Sequence, residues 1–262
     1  MTDHPNIKVL HASVDPENES EFRILVNNKT VKYLTIDAGL YNVDDMCFSP
    51  MLIELLPAFP YGDWNEGLIS RDATTGTAYF AKVTKTNLPG IETTWHPVFI
   101  HHLELKIGRT YRSNVYEATC NRFESVVVAK LARFPWEIPQ LEAETAAYGW
   151  ISDRQIGPKF LGHVTEEGRV IGFVMERIAD CRTATVDDLS MCRSALYKLH
   201  QLGIKHGDIN KHNFLIHDGK ATIIDFDSAS QSASAAELVA ELEGLQEQLE
   251  DTSGRGGRIV HN

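Results

Sequence analysis

The sequence predicts an α+β fold with strands first and helices after, and three observations carry that expectation. Between residues 101 and 178 the apolar runs fall in the order strand, strand, strand, helix, strand, strand. Helical spacing then appears twice, at Leu189, Cys192, Leu196 and Leu199 and again at Leu238, Leu242, Leu245 and Leu249. The first hundred residues are strand-rich and contain no recognisable chemistry. The expected organisation is a β-rich extension over 1–100, a strand-led lobe over 101–178, a small helical lobe over 179–250 and a flexible tail over 251–262.

Each element has a local reason. Residues 1 to about 20 are polar and are expected to fray. Phe22 to Val26 and Val31 to Ile36, split by Asn27-Asn28-Lys29, form a hairpin pattern. Met46 to Trp64 mixes apolar residues with three prolines and reads as irregular, and Thr77 to Thr84 as a strand. Leu103 to Ile107, Val115 to Thr119 and Ser125 to Lys130 are three further strands. Pro139 opens a helix running through Ile151, with Glu142 and Glu144 in early turns where carboxylates suit the dipole. Lys159 to Val164 and Val170 to Glu176 make a hairpin across Glu166-Glu167-Gly168. Thr185 is a helix N-cap, and Gly203 sits where a left-handed terminator belongs. The last helix covers about Ala235 to Leu249, its leucine stripe too short for a coiled coil.

Composition narrows the function classes. Thirty-six acidic against 25 basic residues give a net charge of −11, with no basic stripe of the kind nucleic-acid binding requires. No apolar run reaches the ~20 residues of a membrane span. The start, Met1 to Leu10, lacks a signal-peptide apolar region, and Cys47, Cys120, Cys181 and Cys192 are scattered, so a cytoplasmic protein with free thiols is expected. His96, His101 and His102 read as packing or surface residues rather than a zinc site. The adjacent pair would face opposite ways on a strand.

The chemistry concentrates in His206-Gly-Asp-Ile-Asn-Lys-His-Asn213 and Ile224-Asp225-Phe226-Asp227. These place Asp208, then Asn213 five residues on, then Asp225 twelve beyond that. Phosphoryl transfer requires such a set: one carboxylate at the attacking hydroxyl, with an amide and a second carboxylate as oxygen ligands for Mg²⁺. The set resembles the catalytic loop and metal-binding turn of the protein-kinase-like fold, over about Leu105 to Asp227.

That resemblance implies roles residue by residue. Lys130, ending Val127-Val-Ala-Lys130, would hold the α and β phosphates of ATP. Alone it would read as a surface lysine, but Glu144 lies 14 residues on, where the pairing glutamate belongs, with Glu142 as competitor. Gly108 and Val115 match the glycine-rich loop, whose other glycines are replaced by Thr110 and Ser113, implying a looser cover over the nucleotide. Val174-Met-Glu-Arg-Ile178 resembles the hinge. Met175 would be its gatekeeper, the Glu176 carbonyl and Ile178 N–H would meet adenine, and Val115, Val128 and Leu215 would sandwich the ring. Asp208 would be the base, Asn213 and Asp225 the Mg²⁺ ligands, His206 a brace for the loop and Lys211 a group reaching the transferred phosphate.

Gly207 replaces the arginine that reads activation-loop phosphorylation, so that control is not expected. His-Gly-Asp and Asp227 look like aminoglycoside kinases and the sugar kinases of lipopolysaccharide synthesis. Phe134-Pro-Trp-Glu-Ile-Pro139 and Gly157-Pro-Lys-Phe-Leu-Gly-His163 resemble kinase-like proteins of filamentous fungi. Only 35 residues follow Asp227, without the Ala-Pro-Glu segment that docks peptides. The expectation is a compact bilobal kinase-like fold with a shortened second lobe, acting as a Mg·ATP-dependent phosphotransferase. Its acceptor would be a hydroxylated small molecule or a specific protein. The extension, with the apolar Met46 to Phe59, would pack against the kinase-like part. The rival reading is a pseudokinase that binds nucleotide or scaffolds.

Overall fold

A computed structural model describes residues 5–253. The chain divides into two compact units, Met1–Pro89 and Gly90–Asn262. The division falls about ten residues before the expected boundary at 100. The reason is that residues 90–100 hydrogen-bond into the second unit: Ile91 N–H donates to the Val170 carbonyl, and Glu142 accepts from Glu92 and Thr93 N–H. Glu142 is thereby a strap for this segment rather than a solvated helix acid.

The first unit is one five-stranded sheet in the order β1-β2-β3-β4-β5: β1 Ile7–Ser13, β2 Ser20–Val26, β3 Thr30–Ile36, β4 Glu66–Arg71 and β5 Ala78–Thr84. The β2–β3 hairpin forms as expected. Asn27 and Asn28 both adopt the left-handed backbone (φ 54°), which asparagine tolerates, and Lys29 N–H closes the turn on the Val26 carbonyl at 3.1 Å. Two expectations need correction. Residues 7–13 are an edge strand rather than frayed chain, because Ile7 and Val9 pack on the core. Residues 46–64 are not simply irregular: α1 (Val43–Cys47) and α2 (Ser49–Leu55) form there. Pro50 lies in the first turn of α2, where a missing N–H costs nothing. These helices are the crossover that lets β4 pair parallel to β3. Met46 and Leu52 are buried under them, so much of this segment's apolar character is absorbed by the unit's own core.

The second unit holds a six-stranded sheet in the order β6-β10-β11-β9-β8-β7: β6 Phe99–His101, β7 Lys106–Arg112, β8 Val115–Thr119, β9 Val127–Leu131, β10 Phe160–Glu166 and β11 Arg169–Glu176. Strand β7 starts three residues later than expected because His102–Glu104 form a 3₁₀ turn, capped by His101 accepting from Leu103 N–H. His101 and His102 stand at that corner with ring centroids 4.8 Å apart, not on opposite faces of a strand. Helix α3 (Ile138–Trp150) crosses between β9 and β10. Gly172 is required where β11 meets β9, because a Cβ there would lie 2.0 Å from the Lys130 carbonyl.

A small sheet follows, β12 (Arg182–Thr183), β13 (Phe214–His217) and β14 (Lys220–Ile223), with α4 (Leu189–His200) and α5 (Ala235–Glu250). Thr185 caps a 3₁₀ turn leading into α4, and Gly203 has the expected left-handed backbone (φ 70°). Leu245 and Leu249 of the α5 stripe are buried against the α4 side of the core. Of the expected tail, residues 254–262 lie outside the described residues. Among the described residues no helix is long and apolar enough to cross a membrane.

His163 on β10 sets an acid limit for this unit. It is fully buried against Phe160, and burial, with the nearby His96, pushes its pKa down to about 4. A folded pKa below the unfolded value means that the unfolded chain binds the extra proton, so stability falls as pH drops from 6.5 to about 4. The loss should approach ~3 kcal/mol at the acid end. Urea midpoints of the native protein and His163→Gln at pH 7 and pH 4.5 should show a flatter profile for the variant. Parallel profiles would remove His163 as the cause.

Candidate active site

Lys130, Glu144 and Asp225 meet at the junction of β9, α3 and the turn after β14. The Lys130 Nζ donates to both Glu144 carboxylate oxygens at 2.7 Å and to Asp225 Oδ1 at 2.6 Å. Both members of the Lys130–Glu144 pair are buried. Val115 stands opposite Lys130 in the β8–β9 register. Of the two candidate partners, Glu144 is therefore the one that the helix turns toward the lysine.

Charge is balanced only within the group. Burial, followed by the charge of Asp225, pushes Glu144 up to about 7 against the pull of Lys130. Burial also works against the Lys130 proton, but Glu144 and Asp225 outweigh it and raise its pKa. Asp225 is held below the usual carboxylate range, since Lys130 and Arg112 overcome its burial. Arg112, the last residue of β7, places Nη1 2.8 Å from Asp225 Oδ2. Asp225 itself is left-handed (φ 69°), an unusual backbone that aims its carboxylate back toward β9.

The catalytic-loop residues form an adjoining group. Asn213 Nδ2 donates to the Asp208 carbonyl at 2.9 Å and to its Oδ2 at 3.2 Å, and Asn210 Nδ2 donates to the same Oδ2 at 3.0 Å. The Asn213 carbonyl accepts from Ile224 N–H at 3.0 Å, tying this loop to the Asp225 turn. With its amide nitrogen committed, Asn213 leaves a buried Oδ1 that accepts no hydrogen bond. An orphan oxygen beside a carboxylate turn fits a hard cation that keeps several waters, so Asn213 and Asp225 suit Mg²⁺.

The backbone of this loop is braced from behind. His206 is fully buried, its Nε2 3.1 Å from the Ile224 carbonyl and its Nδ1 accepting from Asp208 N–H at 3.2 Å. Glu241 of α5 accepts from His206 N–H at 3.0 Å and Gly207 N–H at 2.7 Å, and its Oε2 lies 2.7 Å from His200 Nε2. Burial opposes its charge, but these contacts hold Glu241 below the usual carboxylate range. Gly207 is obligatory: its φ is +85°, and a Cβ would lie 2.4 Å from the Ser228 carbonyl. No arginine could occupy that position here. Lys211 points elsewhere than expected, its Nζ donating to the Asp251 carbonyl at 2.5 Å.

Met175 and Val128 face each other across β11 and β9, and both share a core cluster with Val115. Tyr148 of α3 donates its hydroxyl to Met175 Sδ at 3.1 Å. Glu176 ends β11, its N–H donating to the Lys159 carbonyl at 2.8 Å. Ile178 is half-buried, its carbonyl accepting from the Cys181 thiol. Leu215 is half-buried on β13, and Gly108 is exposed on β7. The β7–β8 hairpin is tied to the segment after β11: Tyr111 donates to Glu117 Oε1 at 2.5 Å, and Arg177 Nε lies 3.0 Å from the same oxygen.

Two residues of this site escaped sequence reasoning. Arg112 was visible only as part of a departure from the glycine-rich pattern. Glu241 was hidden inside a leucine stripe, although an acid at a buried helical step was a usable signal.

The model of the lipopolysaccharide kinase (Kdo/WaaP) family matches residues 182–256, which include Asp208, Asn213, Asp225 and Glu241. A subunit of the EKC/KEOPS complex, BUD32 of Yarrowia lipolytica, is 33% identical over 128 residues, covering 45% of this chain and 52% of the relative. The fold is atypical and kinase-like. BUD32 of Chaetomium globosum is 24% identical over 189 residues, 60% of this chain and 69% of that protein. A probable bifunctional tRNA threonylcarbamoyladenosine biosynthesis protein of Methanospirillum hungatei is 43% identical over 56 residues, 21% of this chain. The chain spans about half the length of the Yarrowia relative and 11% of the archaeal one.

Proposed function

We propose that this chain is a Mg·ATP-dependent phosphotransferase whose γ-phosphate goes to a hydroxyl. The observation that carries the reading is the buried Lys130–Glu144–Asp225 group beside an Asn213 oxygen that lacks a partner. Lys130, held by Glu144, binds the α and β phosphates. Asp225 and Asn213 hold Mg²⁺, which when bound neutralises charge on the transferring phosphate. Val115, Val128 and Leu215 enclose adenine, with Met175 behind it and the backbone of Glu176 and Ile178 at its edge. Gly108 begins the cover. Asp208 orients the acceptor hydroxyl and takes its proton as oxygen bonds to the γ-phosphorus and ADP leaves. A hydroxylated small molecule remains the proposed acceptor.

A second reading is favoured by the names of the fungal relatives, which are subunits of a complex. In it, the same site binds nucleotide within a protein assembly and turns over little alone. Both readings require binding. Mg·ATP at 100 times its dissociation constant should stabilise the fold by about 2.7 kcal/mol. Absence of both calorimetric heat and a melting shift at millimolar nucleotide would refute both. Mass analysis of nucleotide after incubation with Mg·ATP and cell extract separates them, since ADP formation supports transfer and intact ATP supports the assembly reading.

A further inference from the structure

The cover hairpin lacks the feature that usually lets a backbone hold phosphates, and it carries a cation in its place. Thr110 and Ser113 stand where glycines would allow close approach of N–H groups, and each adds a Cβ and a hydroxyl there. Between them, Arg112 ends β7 directly opposite Val115 in the hairpin register. Its guanidinium does not extend into solvent. It turns inward across 113 residues of sequence to Asp225 Oδ2 at 2.8 Å, with 38% of its side chain exposed.

A metal on Asp225 would compete with this contact, because Arg112 and Lys130 already occupy its two oxygens. Without nucleotide, two buried or part-buried carboxylates, Glu144 and Asp225, are matched by two cations, Lys130 and Arg112. A divalent cation on Asp225 would repel Arg112 and weaken its hold on that carboxylate. The guanidinium already stands 2.8 Å from a carboxylate that would hold the metal, so it would have little distance to travel to phosphates held beside it. A guanidinium also presents several coplanar donors that match phosphate oxygens.

We propose that Arg112 is a phosphate-binding residue that occupies Asp225 until metal-nucleotide arrives, then transfers to the terminal phosphates in place of the missing glycine contacts. The proposal rests on the nucleotide site of the proposed function. The Tyr111–Glu117–Arg177 tie next to Arg112 anchors the hairpin to the segment after β11, so the change is confined to one long side chain.

The test compares adenosine, ADP and ATP, each with and without Mg²⁺, by calorimetry on the full chain and on Arg112→Ala, Arg112→Gln and Arg112→Lys. Circular dichroism and melting curves establish that each variant is folded. Loss of a charged hydrogen bond should weaken ATP about tenfold or more in the Ala and Gln variants and leave adenosine within roughly twofold, with Lys restoring part. The loss should grow from adenosine to ADP to ATP. Unchanged or tighter ATP binding in Arg112→Ala and Arg112→Gln would mean that Arg112 only covers Asp225, and would overturn the proposal. An equal loss for adenosine would assign Arg112 to hairpin structure and overturn it too. If the native chain binds neither adenosine nor ATP, the nucleotide site itself fails and this role falls with it. That result is distinct from a native site that binds ATP normally without help from Arg112.

Discussion

Lys130→Met is expected to destabilise the second unit by about 3–5 kcal/mol at neutral pH. The lysine is the shared partner of Glu144 and Asp225, at 2.6–2.7 Å from each. Methionine fills much of its volume but leaves Glu144, 1% exposed, with no cation against it. The penalty is therefore dominated by a stranded carboxylate rather than by a cavity. That origin gives the effect a pH signature. Glu144 already lies near 7 with the lysine present, and removing Lys130 pushes it higher. A carboxyl whose folded pKa exceeds its unfolded value is stabilised by proton uptake, which native Glu144 shares below 7, so the variant's deficit should widen as pH rises above 7. Adding Glu144→Gln should restore much of the loss at neutral pH. Because the chain has two units, the comparison is best made by hydrogen exchange of amides in β9 and α3. A cost under about 1 kcal/mol, or one independent of pH, would mean that the pair is hydrated and does not fix the lysine.

The same buried group explains which parts of the protein could be read from sequence. That Lys130 meets Glu144 and Asp225, and Asn213 meets Asp208, was legible because the residue types and spacing resemble those of kinase-like proteins. Strand and helix order in the second unit was legible because β8, β9 and β10 are short, largely buried apolar runs and Pro139 marks the start of α3. Strand β1 was not, since it is a half-exposed edge whose burial alternates weakly and is interrupted by a bulge between Val9 and His11. Strand β4 was missed because Gly67 and Glu66 dilute its pattern and its parallel partner β3 lies a helical crossover away. Glu241 and Arg112 have partners 34 to 113 residues distant, a separation at which local pattern carries no information. The expectation for Lys211 failed for the opposite reason. A plausible role was assigned from its neighbourhood in sequence, while the side chain turns to the carbonyl of Asp251.

Asp208→Asn and Asp225→Asn should separate chemistry from binding. Asn is close to isosteric at both positions, and at 225 it tolerates the left-handed backbone that most residues resist. Asp225→Asn removes a charged metal ligand and also the anion facing Lys130 and Arg112. Mg²⁺-dependent nucleotide affinity should therefore fall steeply, while metal-free nucleotide, which meets Lys130 and Arg112 without the Asp225 charge, should bind as well or better. Asp208 makes no ion pair in this set; its carboxylate accepts from Asn210 and Asn213. An amide there should leave Mg·ATP affinity nearly intact and reduce turnover about 10²–10⁴-fold, the usual contribution of a positioned base. Single-turnover ADP release, set beside calorimetry for each variant, measures both quantities. The two roles are reversed if Asp208→Asn abolishes metal-dependent binding while Asp225→Asn retains it. If neither substitution changes ADP release, the residual turnover belongs to another site and the phosphotransferase reading loses its base.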